Sequence, residues 1–215
     1  IRMQGAFNEK FSLNLDVITN VQQFPSYLDS FIFSKYDRFD TVSTKYIIPG
    51  ENAATLKNDN RFAYTNFGFN LTYTPNKHFL IATGYGKQFL GDGYRSLLLS
   101  DNSNNYPYVR LQARIWKLSY NVLYNRYTNK SWYNVDGDPQ PKYSTVHYLG
   151  FNAKKFQLGL FDEITWLAKD TNFTRGFDLQ YINPLIFMRP LEFAIGSPDN
   201  AMIGLNAKYK LYKNG

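Results

Sequence analysis

The 215-residue chain contains no cysteine and only two histidines, His78 and His147. The lack of cysteine excludes disulfide bonds and thiolate metal ligands. A zinc site usually takes three or four ligands drawn from histidine, cysteine and acidic residues, so two isolated histidines do not predict one. We therefore expect both histidines at an interface or on the surface, and we expect no metal ion and no cofactor.

Long apolar runs are also absent. No stretch of 18 or more apolar residues predicts a transmembrane helix, and no signal peptide is recognisable at Ile1. At the other end, Asn214-Gly215 is the strongest two-residue signal for a hairpin turn. Because such a turn predicts a returning strand, we expect the chain to be a segment of a larger β-protein.

Aromatic residues, by contrast, are frequent: 18 tyrosines, 18 phenylalanines and three tryptophans make up 18% of the chain. The mean hydropathy is nevertheless −0.43, and the net charge is +7. Strands with one apolar and one polar face account for a high aromatic content together with a negative mean hydropathy. Aromatic girdles are typical of transmembrane β-barrels. The composition therefore favours an all-β, antiparallel transmembrane β-barrel.

Period-two alternation recurs along most of the chain and predicts roughly ten strands. The runs that show it lie at 61–75, 78–87, 108–127, 146–166 and 201–212, with a weaker pair at 3–20. Short turns are predicted at 75–77, 116–117 and 154–155, so that successive runs form hairpins.

The connections at the other end of these hairpins are long, at 21–60, 88–107, 128–144 and 182–200. Short turns at one end and long loops at the other are typical of outer-membrane barrels. We expect 21–60 and 128–144 to be long loops, the first either extracellular or inserted into the lumen. A soluble β-sandwich is the alternative, because alternation alone does not separate a lipid-facing side from a core-facing side.

Two long motifs stand out, GDGYRSLLLSD at 91–101 and NPLIFMRPLEFAIGSPDNA at 183–201. With their flanking strands they resemble the Wzi-like capsule assembly family, especially its relatives associated with gliding motility in Gram-negative bacteria. The resemblance covers roughly 62–212. It implies an outer-membrane barrel with more strands than this chain supplies, which handles surface polysaccharide or lies near the motility and secretion machinery. It implies no enzymatic activity.

Charged and amide residues of these motifs are candidates for ligand binding or for a network that fixes elements inside the lumen. They are Asp92, Arg95, Asp101, Arg189, Glu192, Asp199 and Asn200. We expect Asp92 to cap a short helical turn, Arg95 to face an acid, and the leucines at 97–99 to pack against the inner wall. Both segments, 91–101 and 184–200, are expected to turn towards the lumen.

No arrangement of residues predicts catalysis. Asp162 and Glu163 are neighbours in a strand and point to opposite faces, which excludes them as the carboxylate pair of a glycosidase. The relative positions of Asp92 and Glu192 do not follow from the sequence. Neither histidine lies near a nucleophile elbow.

The positive charge favours an acidic partner. The lysines are spread over many strands rather than gathered in a nucleic-acid-binding module, so nucleic acid is not predicted. Outer-membrane lipid, including lipopolysaccharide, and acidic surface polysaccharide are the expected counter-charges. Four aromatic residues are candidates for stacking on sugars or for a membrane-interface girdle: Tyr106, Trp132, Tyr133 and Tyr143.

The predicted function is therefore attachment of polysaccharide at the cell surface, as in capsule assembly or gliding motility, by binding rather than catalysis. Two alternatives stay open. One is an accessory subunit of an outer-membrane secretion or motility complex, whose main partner is another outer-membrane protein. The other is a porin-like channel.

Overall fold

The computed structural model describes residues 1–36, 45–51, 53–92, 94, 96–133, 139–169, 174, 176–185 and 199–211. In this part of the chain the regular structure is antiparallel β-sheet, accompanied by one α-helix and a short 3₁₀ helix. The prediction of an all-β antiparallel protein is confirmed. No helix among these residues is both long and apolar enough to cross a membrane.

The described residues form eleven strands. They are β1 (Arg2–Ala6), β2 (Phe11–Gln22), β3 (Lys45–Ile47), β4 (Ala53–Leu56), β5 (Phe62–Asn76), β6 (Phe79–Gly86), β7 (Tyr106–Ile115), β8 (Leu118–Tyr133), β9 (Pro139–Asn152), β10 (Phe156–Leu167) and β11 (Asn200–Tyr209). Helix α1 (Ser26–Tyr36) lies between β2 and β3, and the 3₁₀ helix (Leu179–Ile182) precedes β11.

One sheet contains all of these strands, in the order β1-β2-β5-β6-β7-β8-β9-β10-β11. The short strands β3 and β4 pair with each other, and β4 extends the edge of β5 beyond the residues that pair with β6. Among the described residues β1 and β11 do not pair with each other, so the sheet is open.

Tight turns join the strands close to where the sequence predicts them. In the β7–β8 turn at 116–117, Trp116 has φ = 55°, the sign that the first central residue of a type II′ turn requires. The β5–β6 turn lies at 77–78, one residue later than predicted. The Asn76 side chain fixes it by accepting two backbone N–H groups at 2.9 and 3.2 Å. The β9–β10 turn at 154–155 is confirmed.

Alternation gives the sheet two different faces. Across the paired strands, the apolar face carries Val17, Phe67, Phe69, Leu71, Ile81, Val109 and Leu205. The polar face carries Asn66, Asn70, Arg110, Gln112, Asn121 and Asn206. Phe67 and Ile81 are 41% and 43% exposed, whereas Gln112 and Asn121 are buried. The more exposed face of β5–β7 is thus the apolar one, the reverse of a sheet in a soluble protein.

The range 21–60, predicted as a long loop, contains α1, β3 and β4 in its described part. Ile32 of α1 packs with Ile48, Phe62 and Tyr64 in a small buried core. Phe62 and Tyr64 belong to the polar face, so the helix covers that face at the end of β5.

The range 128–144, also predicted as a loop, is occupied largely by strand. β8 continues to Tyr133 and β9 starts at Pro139, with a shift of register between Asn129 and Tyr133. Residues 134–138 lie outside the described residues. Pairing between two long strands therefore continues where the local composition favoured a loop.

Candidate functional site

Residues 87–100, which we call the fold-back segment, run across the polar face. Leu90 and Leu99 exchange backbone hydrogen bonds at 2.9 and 3.3 Å, which closes the segment into a loop. Together with Leu98, they pack on an apolar island in the polar face formed by Leu123, Val146 and Phe161. Leu97, which was predicted to pack there as well, is 93% exposed.

Asp92 joins the fold-back segment to the last strand. Its Oδ2 accepts a hydrogen bond from the Asn206 side chain at 2.7 Å, and its Oδ1 lies 3.8 Å from Nζ of Lys208. Both partners stand on the polar face of β11. Asp92 therefore binds a distant strand rather than capping a helical turn, since the described part of 91–98 forms no helix.

The other charged candidates do not gather around Asp92 in the described residues. Three of them lie outside the described residues, namely Arg95, Arg189 and Glu192. Asp101 is exposed in the connection to β7, and Asn200 begins β11. Asp199 accepts a hydrogen bond from the Tyr181 hydroxyl at 2.7 Å, on the other side of the sheet from Asp92.

Residues 178–185, which we call the strap, cover the apolar face rather than the polar one. Asp178 begins the 3₁₀ helix by accepting a backbone N–H at 3.0 Å. Tyr181 is fully buried against Trp166, with ring centroids 4.7 Å apart. Trp166 is five residues from Phe161 on β10, so the two side chains point to opposite faces. Residues 184 and 185, which begin the second motif segment, therefore lie over the face opposite to the one that carries the first, contrary to the prediction, whereas residues 186–198 lie outside the described residues.

Four consecutive carbonyl groups of the strap accept hydrogen bonds from side chains of the sheet. The donors are Thr145, Tyr124, His147 and Tyr120, at 3.0, 2.6, 3.2 and 2.5 Å from the carbonyl oxygens of residues 181, 182, 183 and 184. These polar side chains interrupt the apolar face where the strap crosses it. The carbonyl groups of residues 181–184 are thus satisfied by protein rather than by water.

His147 and Asp162 lie opposite each other on β9 and β10 beneath the strap. Each is 1% exposed, and Nδ1 of the histidine lies 3.9 Å from Oδ2 of the aspartate. The prediction of an interface or surface position for His147 is wrong, because the strap covers it. Glu163 is the next residue of β10 and faces the polar side, which confirms that the two carboxylates cannot serve one glycosidic bond.

A polar cleft lies on the polar face of β2, β5, β6 and β7, beside the start of the fold-back segment. Two cavities of about 430 and 440 Å³ share Asn70, Lys87, Gln88 and Tyr108 and so form one cleft. Its other polar lining residues include Asn14, Asn66, Thr72, Asn105, Arg110, Gln112 and Arg114. Amides and hydroxyls both donate and accept hydrogen bonds, as sugar hydroxyls require of a partner.

Neutral groups hold the guanidinium of Arg110 in this cleft. Its Nε and Nη2 donate to Oδ1 of Asn121 at 3.2 and 2.7 Å, and its Nη1 lies 3.5 Å from Oε1 of Gln88. Gln112 donates to the same Asn121 oxygen at 2.9 Å. In the part of the chain that the structure describes, neither Arg110 nor Arg114 pairs with a carboxylate.

Charge is distributed unevenly along the cleft. Near β2, the carboxylate of Asp16 pairs with Arg2 at 2.6 Å, and Glu51 accepts a hydrogen bond from the Asn66 amide. Near β7, the described lining residues include three cations, Lys87, Arg110 and Arg114, and no acid. The Lys87 ammonium donates to a backbone carbonyl at 2.8 Å. The half next to β7, which we call the cationic half, therefore has uncompensated positive charge.

Two of the aromatic residues proposed to stack on sugars are engaged in packing. Tyr106 is 4% exposed, and its ring meets that of Tyr127 edge-on at 4.8 Å. The half-buried ring of Tyr143 packs against Trp166 and Phe177 beside the strap. The side chains of the other two, Trp132 and Tyr133, lie outside the described residues.

No group of three or more potential metal ligands occurs within the residues described. Comparison with protein-family models, curated proteins and solved structures gives no match. The resemblance to the Wzi-like family accordingly stays a prediction from the two sequence motifs.

Proposed function

We propose that this chain forms part of the wall of an outer-membrane β-barrel in a Gram-negative bacterium, and that it binds surface polysaccharide without catalysis. The apolar face would contact lipid and the polar face would line the lumen. The observation that carries the proposal is the inverted exposure of the two faces. It is seen at Phe67 on β5 and Ile81 on β6, and Leu205 on β11 is also 66% exposed, while the strap covers the apolar face of β8–β10 between them.

The exposed apolar face is more stable in an apolar environment than in water. Burying a valine, leucine, isoleucine or phenylalanine side chain stabilises a protein by about 1.5–3 kcal/mol relative to leaving it in water. Exposed rows of such residues on neighbouring strands therefore favour a partner or a membrane over water. Hydrocarbon supplies that environment along every part of the apolar face that the strap leaves uncovered.

Strand lengths and connections agree with a membrane-spanning wall. β2, β5, β8, β9 and β10 have 12, 15, 16, 14 and 12 residues, and about 9–11 residues suffice to cross a bilayer with tilt. In an antiparallel order the turns after β5, β7 and β9 lie at one end, and these are the short ones. The long connections, including the fold-back segment, leave from the other end.

The strap is compatible with this placement. Irregular backbone within hydrocarbon costs several kcal/mol for each polar group left unpaired. The carbonyls of residues 181–184 are all paired with side chains of the sheet. The strap thus covers the polar side chains that interrupt the apolar face.

The polar cleft supports the binding role. Its amide and hydroxyl groups match sugar hydroxyls, and its positive charge matches acidic sugars. The resemblance to capsule assembly and gliding-motility proteins is part of this proposal, as is the attachment of polysaccharide at the cell surface.

Two adjacent positions on β5 test the lipid-facing assignment. The cysteine-free chain allows single labels at Leu71→Cys, on the apolar face, and Thr72→Cys, on the polar face. In lipid vesicles, an environment-sensitive fluorophore at position 71 should be quenched by spin-labelled lipid, while one at position 72 should not. Equal quenching at both positions, or quenching of both by aqueous iodide alone, would contradict the proposal.

The second candidate is an accessory subunit of an outer-membrane secretion or motility complex. Among the described residues, β1 and β11 each have a neighbour on one side alone, so both edges can accept another strand. Gentle detergent extraction followed by mass measurement of the native particle distinguishes the two candidates. A stable complex with a second outer-membrane protein favours the subunit, and a single species favours the polysaccharide-binding wall.

A further inference from the structure

We infer that the cationic half of the cleft is a binding site for the anionic groups of a polymeric acidic saccharide. Arg110, Arg114 and Lys87 would bind carboxylate or phosphate oxygens of the ligand. The inference rests on the proposed function, because it names the chemical class of ligand that the polar face takes.

Uncompensated charge is the first argument. Arg110 is oriented by Asn121 and Gln88, which accept its N–H groups without neutralising it. Positive charges that line one cleft repel one another, and the cleft strengthens this repulsion because it replaces part of the surrounding water with protein. An anion in the cleft removes that repulsion.

The chemistry of the cations is the second argument. A guanidinium group binds carboxylate or phosphate through two parallel hydrogen bonds, and such charge-assisted bonds are stronger than neutral ones. Gln112 and Thr72 stand in the same half of the cleft and can bind hydroxyl groups. A ligand that carries acids and hydroxyls together fits this set of groups.

Spacing is the third argument, and it favours a polymer over a single small anion. Arg110 and Arg114 lie on one face of β7, four residues apart, which separates their Cα atoms by about 13 Å along the strand. Lys87 reaches the same half of the cleft from the fold-back segment. A chain with repeated charges can contact cations spread along that length of strand together, whereas the two parallel hydrogen bonds of a single carboxylate or phosphate engage one guanidinium group.

Binding of defined saccharides to the full chain in detergent micelles tests the inference. The probes are oligogalacturonate, a neutral dextran fragment of equal length, monomeric galacturonate, and lipopolysaccharide as a phosphate-bearing competitor. We expect oligogalacturonate to bind at least about ten-fold more tightly than dextran or the monomer, because several charge-assisted bonds form together. Added salt should weaken this binding by screening the charges.

Variants of the cleft residues locate the binding site for oligogalacturonate. Arg114→Gln and Lys87→Gln together should lower the affinity for oligogalacturonate about ten-fold while leaving dextran binding unchanged. Lys154→Gln and Lys155→Gln together, in the β9–β10 turn, remove the same two positive charges away from the cleft and should have no effect. Thermal unfolding of each variant verifies that the fold is retained. Arg110 is left intact, because it also orients Asn121.

Each outcome has a separate meaning. Equal affinity for oligogalacturonate and dextran would overturn the anion site but leave the polysaccharide-binding proposal standing. Equal losses in the cleft variant and in the Lys154→Gln, Lys155→Gln double variant would overturn it too, since net charge alone would then explain binding. Binding of the monomer as tight as that of the oligomer would refute the polymeric ligand. Absence of binding to every saccharide would refute both proposals, whereas preferential binding of lipopolysaccharide supports an anion site whose ligand is lipid phosphate.

Discussion

Removing the hydroxyl groups of Tyr120 and Tyr124 tests whether the strap binds the apolar face. These hydroxyls donate to the carbonyls of Pro184 and Ile182 at 2.5 and 2.6 Å. A change to phenylalanine keeps each ring and deletes one hydrogen bond, which typically contributes about 0.5–1.5 kcal/mol. A carbonyl left buried without a partner costs about 1–3 kcal/mol.

Both tyrosines are half-buried, so we expect each single change to lower the free energy of unfolding by about 1 kcal/mol. The two bonds hold one short segment, and effects of changes that share a partner do not simply add. The double variant is expected to lose about 2–3 kcal/mol, because the strap detaches once both bonds are gone.

Urea unfolding in detergent micelles measures this loss. Tyr85→Phe is the matched control, since Tyr85 lies on the apolar face away from the strap. The indole of Trp166, which is buried against Tyr181 and donates to a carbonyl at 3.1 Å, reports detachment directly. Its emission should change in the double variant, measured in chains whose other tryptophans are replaced by phenylalanine. Losses no larger than those of Tyr85→Phe, with unchanged emission, would refute the placement of the strap.

Two further pairs of changes test the polar face through the same unfolding measurement. Leu98→Ala should cost about 2 kcal/mol because Leu98 packs on the apolar island, whereas Leu97→Ala at the exposed neighbour should stay within about 0.5 kcal/mol. Gly84→Ala should cost about 2 kcal/mol or more, since a Cβ there would overlap the backbone carbonyl of Phe69. Gly5→Ala has nothing within 4 Å of the added atom and is its control. Similar losses within either pair would contradict the packing described.

Much of the sheet follows from the sequence, because alternation and turn chemistry are local. The hairpin at 116–117 needs no information beyond two alternating runs and the residues between them. Helix α1 was missed for an equally local reason. Ile32 and Phe33 face the small core, but Tyr27 and Phe31 on the exposed side are also aromatic. The helix therefore has no clean apolar stripe to separate it from an aromatic loop.

The candidate site was predictable only in part. Alternation alone places Arg110, Gln112 and Arg114 on one face of β7, so the cationic row follows from the sequence. The cleft around it also depends on where the chain runs after β6, which brings Lys87 and Gln88 over that row. No local pattern specifies this path, because it is decided by packing of distant leucines on the apolar island.

The side on which the strap lies could not be predicted from the motif that contains it. A long connection between two strands can cross either face of a sheet, and its own residues do not decide between them. The relevant signal lies in the strands, where Thr145 and His147 on β9 and Asp162 on β10 interrupt two neighbouring apolar rows at one place. Such a local polar patch on an apolar face predicts that a segment with polar backbone groups packs over it.

The two covers divide the sheet into sectors with different surroundings. Over β8–β10 the fold-back segment packs on the polar face and the strap packs on the apolar face. Side chains of both faces are therefore buried there, for example Phe161 under the fold-back segment and Trp166 under the strap. Over β5–β7 the described residues leave the apolar face exposed, and the polar face opens into the cleft. Only a bare apolar sector requires an external apolar phase, and only an open polar sector can admit a ligand. The proposed lipid contact and the proposed ligand binding would therefore fall on the same strands, β5–β7, on opposite faces, and both would require the strict alternation seen there.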